Sequence, residues 1–142
     1  MSPVLMKGQF DFMSEQIAKK SSFQFTNPVV SRFDFHLNKN YEAADRNVAL
    51  KLTMKVNTDD EGEAQKHVEL NMSIGDEDSP FTISAIIGAS FRWDPSLDKE
   101  TVENLIQKNA VSLLIGYLRP IISQFTVQAG IEPFNLPFIN LE

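Results

Sequence analysis

The sequence predicts an α+β domain in which a four-stranded antiparallel sheet packs on a long, proline-interrupted C-terminal helix. Three observations carry this expectation. Four stretches between Phe23 and Trp93 alternate apolar and polar residues, the apolar period changes to three and four between Val102 and Phe125, and polar turns bearing glycine or proline separate the strand runs. With 142 residues, 42% hydrophobic and 23% charged, the chain has the bulk for one core, so residues 1–142 are expected to form a single domain.

In chain order, Met1 to Ser22 is too mixed to assign an element. From Phe23 the odd positions read Phe23, Phe25, Asn27, Val29, Ser31, Phe33, Phe35 and Leu37, a half-buried strand bent or broken near Pro28. Asn38 to Arg46 reads as a wider connection. The second run sets Val48, Leu50, Leu52, Met54 and Val56 on one face, and the third sets Val68, Leu70, Met72 and Ile74 against His67, Glu69, Asn71 and Ser73. In the fourth, Phe81, Ile83, Ala85, Ile87, Ala89, Phe91 and Trp93 alternate with mostly polar neighbours, and Ile86 breaks the pattern. Asp59-Asp60-Glu61-Gly62 and Gly75 to Pro80 are the expected turns, and such short connections make the pairing antiparallel.

After Asp94-Pro95-Ser96, the apolar residues Val102, Leu105, Ile106, Ala110, Leu113, Leu114, Tyr117, Leu118, Ile121, Ile122 and Phe125 recur at helical spacing, with Ser96 or Asp98 as cap. This is one amphipathic helix, or two in line, expected to kink or restart at Pro120, with Asn109 a second candidate for a break. Gly130 ends it and opens an apolar, extended tail over 130–142 that carries Pro133 and Pro137.

Charge and composition exclude several functions. A net charge of −6 and a pI of about 4.9 argue against a nucleic-acid surface, which needs clustered Lys and Arg to displace counterions. Zero cysteines rule out disulfides, thiolate metal sites and a cysteine nucleophile. Met1 to Phe10 contains Lys7, Gly8 and Gln9 where a secretory segment needs an apolar run, so a cytoplasmic protein is expected. No stretch reads as long enough to span a bilayer.

Catalytic chemistry finds few candidates, and no enzyme or cofactor is expected. His36 and His67 fall at outward strand positions without metal-ligand spacing, Ser84 and Ser90 lack a nucleophile elbow, and the Asp59 to Glu63 cluster lacks calcium-loop spacing. They read as solvated surface. Gly88 suggests a bulge or a close backbone approach.

What remains is apolar surface. A sheet four strands wide spans roughly 20 Å at about 4.8 Å per strand, whereas a helix is only about 10 Å across. One helix cannot cover it. Surplus apolar area of this kind calls for a partner, most simply a second copy of the chain. Of the 11 phenylalanines, Phe33, Phe35 and Phe81 read first as core. Tyr41, Trp93, Phe125, Phe134 and Phe138 lie at element ends where grooves form, although Phe125 also suits the core, and Ile131, Leu136 and Ile139 extend the same apolar strip. These eight are the candidate client-binding residues. Promiscuous binders work through such non-directional burial, at about 25 cal/mol per Å².

The order of alternating strands, a helix with Leu118-Arg119-Pro120 near its middle, then Gly130 followed by Asn135-Leu136-Pro137-Phe138-Ile139-Asn140-Leu141, resembles the SecB protein-export chaperones, whose tail carries a similar Asn-Leu-x-Pro-Val-Asn-Phe motif. Laid on it without a gap, Asn135, Leu136 and Asn140 are identical, Ile139 and Leu141 are conservative, and Pro137 is displaced by one. The resemblance spans about Phe23 to Leu141. It implies a four-stranded sheet against helices, assembly as a dimer of dimers, and apolar grooves that hold unfolded polypeptide without ATP. Members that hand cargo to the SecA motor present an acidic sheet face, whereas Lys51, Lys55, His67, Glu69 and Arg92 here are mixed. Other relatives protect the antitoxin of a toxin–antitoxin pair. Glu132 stands where the export chaperones usually have proline, and Ile131 replaces an aromatic groove residue. Two further readings stay open: a carrier of small hydrophobic ligands in a cavity under a curved sheet, and a purely structural oligomer subunit.

Overall fold

The computed structural model describes residues 22–41 and 50–141. The N-terminal segment, most of the expected 38–46 connection and Val48 therefore lie outside the described residues. Five strands form one antiparallel sheet: β1 (Phe23–Phe25), β2 (Val29–Leu37), β3 (Leu52–Gly62), β4 (Gln65–Ile74) and β5 (Phe81–Trp93). The expectation of four strands is corrected here. The first alternating run is cut at Thr26-Asn27-Pro28, and both pieces then pair with β5, β1 against Phe91–Trp93 and β2 against Phe81–Gly88. Proline has no N–H to give to the ladder, so the break falls there while the sheet stays four strands wide.

A register shift between Val30 and Arg32 corrects the first run a second time. The extra residue turns Val29 outward, 64% exposed, and puts Val30 against the core in its place. The β3–β4 hairpin also differs from expectation, because β3 runs on to Gly62 and the turn is Glu63-Ala64. Cross-strand pairs hold the longer ladder, with Asp59 opposite His67 and Asp60 opposite Lys66, whose ammonium lies 3.7 Å from the Asp60 carboxylate. The other turn forms as its residues suggest. Gly75 sits at φ +83°, where a Cβ would come within 2.4 Å of the Phe81 carbonyl, and buried Ser79 donates to the Asp76 carboxylate at 3.1 Å.

Helix α1 runs over Lys99–Gln128 as α-helical Lys99–Asn104, a π-turn at Leu105–Ala110 and α-helical Val111–Gln128. The irregularity that was expected at Pro120 falls instead in the π-turn, which contains Asn109. Pro120 is accommodated inside the helix because both it and Gly116, whose carbonyl loses its i+4 donor, are exposed to water. By length and composition α1 could cross a bilayer, contrary to the sequence reading. In this fold its apolar face is taken by the sheet: Ile106, Ala110, Val111, Leu114, Leu118 and Ile122 bury against Val68, Leu70 and Met72 of β4 and Ile83, Ile87 and Phe91 of β5. Each fully buried side chain of this size contributes roughly 1.5–3 kcal/mol, which is what fastens helix to sheet.

Asp98 caps α1, its carboxylate accepting from the Thr101 N–H at 3.0 Å. The Thr101 side-chain hydrogen bond first, and its backbone N–H second, hold the Asp98 carboxyl below its ordinary 3.8. A lowered folded-state pKa means that the cap's contribution is full above the ordinary value and is lost as pH falls through the folded one. Asp98→Ala is therefore expected to lower the melting temperature at pH 7, with the difference from wild type shrinking at the acid end of a Tm-against-pH series below pH 3.8. At the other end Gly130, at φ +91°, closes the helix: its N–H donates to the Val127 carbonyl at 3.0 Å, and the Ile131 N–H donates to the Thr126 carbonyl at 3.1 Å.

Candidate functional site

The long helix lies over β4 and β5, leaving an apolar flank on each side. On the β1–β2 flank, Tyr117, Ile121 and Phe125 follow one another at four-residue spacing and so form one row along the helix. They are 43%, 38% and 40% exposed. This corrects their place in the predicted stripe, because the residues that face the sheet are offset by one: Ile122 and Thr126 are fully buried. Aromatic rings continue the row onto the strands, with Phe25 edge-on to Tyr117 at 6.3 Å, and Phe125 at 4.9 Å from Phe33 and 5.2 Å from Phe35. Among the described strands none pairs with the outer edge of β2, which borders this aromatic trough.

On the β3 flank the tail turns back along the helix. Fully buried Thr126 anchors the turn, its hydroxyl donating to the Ser123 carbonyl at 2.8 Å and accepting from the Phe134 N–H at 2.9 Å. Phe134 stands edge-on to Phe81 at 5.7 Å, and Leu136, 4% exposed, seats against the sheet. Arg119 then clasps the strand-like segment. Its Nε donates to the Leu136 carbonyl at 3.1 Å, its terminal nitrogen donates to the Pro137 carbonyl at 3.2 Å, and the guanidinium lies 5.3 Å from the Phe138 ring centre. A hollow of about 300 Å³ remains under the tail, lined by Leu50, Leu52, Ile74 and Phe134 to Pro137.

Of the eight candidate residues, the structure gathers most around the helix. Ile131, Phe134, Leu136 and Ile139 pack on the core from the β3 side, and Phe125 lies on the opposite flank. Phe138 is 97% exposed. Trp93 ends a 13-residue strand about 40 Å long whose other end carries Phe81, so it sits at the far end of the sheet from Phe134. Tyr41 is half-buried beyond β2, its N–H bonded to the Asn38 carbonyl at 3.1 Å. Sequence reasoning passed over Phe25, Arg119 and Thr126 as site residues. Arg119 had a signal, for it is the one charged residue in Val111–Gln128.

The outer sheet face is polar and mixed in charge. His67 is half-buried there, a correction to its solvated reading: it fills the space over Gly88, where a Cβ would meet its Nε2 at 2.8 Å, and its Nδ1 lies 3.4 Å from Ser90 Oγ. The close approach expected at Gly88 is thus made by a side chain. Hydrogen bonds from Ser90 first and Gln65 second hold the Glu61 carboxyl below its usual value. Among the described residues no group of three His, Asp or Glu side chains is placed to hold a metal ion.

With this geometry in view, the SecB-like chaperone of Mycobacterium tuberculosis, solved in complex with a ChAD peptide from the HigA1 antitoxin, superposes with a TM-score of 0.67 over 92% of this chain and 99% of that one, at 13% identity. The fold is SecB-like. A Streptococcus agalactiae protein of unknown function superposes with a TM-score of 0.50 over 82% of this chain and 97% of that one, at 15% identity. In sequence, an uncharacterised protein of Methanocaldococcus jannaschii is 26% identical over 131 residues, covering 86% of this chain and 81% of that protein. No family model matches the chain.

Proposed function

We propose that this protein is a molecular chaperone that holds non-native polypeptide in extended form without ATP. The observation that carries the reading is the exposed row Tyr117, Ile121 and Phe125, set beside Phe25 and bordered by β2, whose outer edge no other described strand pairs with. An extended client can add backbone hydrogen bonds to that edge while alternate side chains bury in the trough. Burial of this kind is indifferent to sequence, as a holdase requires. The SecB-like fold supports the same reading, and its likeness to a chaperone that holds an antitoxin peptide makes an antitoxin the first client class to try. Export through SecA ranks second, since the outer face carries Lys55, His67 and Arg92 beside Glu69 rather than an acidic surface. Association of copies into a dimer of dimers would cover part of the remaining apolar area. A ligand carrier would need a chamber between helix and sheet, where Leu114, Leu118 and Ile122 stand fully buried.

The test is a refolding assay. The purified protein, added without nucleotide at a fewfold excess over chemically denatured citrate synthase, is expected to suppress the rise in light scattering on dilution. Scattering that follows the buffer control would sink the reading.

A further inference from the structure

The groove on the β3 flank is already filled by this chain itself, and the way it is filled points to its regulation. The tail enters extended, held so by Pro133 and Pro137, and presents Phe134, Leu136 and Phe138 at every second position. Its Leu136 and Pro137 carbonyls accept from Arg119, hydrogen bonds that any extended chain of the same direction could offer, and the guanidinium also lies 5.3 Å from the Phe138 ring. Beside it a half-open hollow of about 300 Å³ lies against Leu50, Leu52 and Ile74, and Val56 further along β3 is left exposed on the same face, so the tail does not use all of the apolar surface on this flank. A segment that carries a client's own pattern, leaves part of its groove open and is clasped by its carbonyls behaves as a competitor for that groove.

Resting on the chaperone reading above, we propose that residues 131–141 form a displaceable strap, an internal stand-in for client, and that Arg119 is the clamp both compete for: when a client's extended segment, apolar at alternate residues, displaces the strap, the Arg119 guanidinium donates to two of its successive backbone carbonyls. The strap then lowers apparent affinity by the fraction of molecules in which it is closed. Clients must outbid it, so short or weakly apolar segments are rejected.

Three measurements on the full-length chain, with fluorescein-labelled, reduced and carboxymethylated α-lactalbumin as the unfolded probe, test this. Leu136→Asp opens the strap and is expected to tighten probe binding about fivefold or more. Arg119→Ala placed in the Leu136→Asp background is expected to lose about tenfold, because the strap no longer occupies the guanidinium and any effect must pass through the probe. In the wild-type protein, saturating probe is expected to raise hydrogen exchange across residues 131–141, a measurement that needs no variant to fold. Probe binding by wild type with no tightening in a folded Leu136→Asp, no effect of Arg119→Ala in that background, or unchanged exchange in 131–141 each overturns the strap and leaves the chaperone reading standing. Absence of binding by wild type and Leu136→Asp alike overturns both.

Discussion

Tyr117→Asp combined with Ile121→Asp is expected to leave the fold intact and to weaken binding of an unfolded probe by about 30- to 100-fold. Both side chains are partly exposed and neither belongs to the buried core, so the substitutions remove surface that is in water before a client arrives. Full burial of a side chain of this size contributes roughly 1.5–3 kcal/mol, and only about two-fifths of it is still available at these exposures. The two residues then supply about 1–2 kcal/mol together, and desolvating a carboxylate against a client adds about 1 kcal/mol or more of penalty. Anisotropy titration with the labelled α-lactalbumin reads the affinity, and far-UV circular dichroism checks that the helix persists. If the substitutions lowered the particle mass in light scattering and left probe binding unchanged, the row would be a subunit contact and the trough would cease to be the client site.

Phe91→Ala is expected to cost about 3–5 kcal/mol, the largest loss of stability from a single substitution in this chain. Phe91 is fully buried, stacked on Phe23 at 5.5 Å and 16° and close to Phe25 at 6.1 Å, so it joins short β1 to the rest of the sheet. A three-residue strand has few ladder bonds of its own, and its rings do much of the holding. At about 4 °C per kcal/mol for a domain of this size, the melting temperature should fall by about 12–20 °C, read by thermal denaturation. Hydrogen exchange should rise first at 23–25. A loss below about 1 kcal/mol would mean that β1 is held by something other than this ring cluster.

Much of the fold was legible because alternation and helical spacing are local properties. Val68, Leu70, Met72 and Ile74 alternate so regularly that one face of β4 had to be buried, and all four are. The same logic misplaced Val29, since a bulge adds one residue and leaves no mark in hydrophobicity. It also extended the Asp59–Gly62 turn too far toward β3, because acidic residues on an exposed edge strand look like a loop. The site was half legible. The apolar tail announced itself by composition, whereas Arg119 and Thr126 act through contacts 17, 18 and 8 residues away along the chain, and no spacing rule reports those.

The sequence by itself determined that this chain has one-sided strands, a long amphipathic helix and more apolar surface than one helix can hide, because each of these follows from which residues are neighbours along the chain. Only the tertiary structure decided which part of that surface stays open. The helix stripe is wider than its contact with β4 and β5, so the angle at which it docks leaves Tyr117, Ile121 and Phe125 in water. The tail's return along β3, directed by the Gly130 turn and gripped by Arg119, covers the other flank. Burial is shared between segments far apart in sequence, and its allocation is set by their packing geometry.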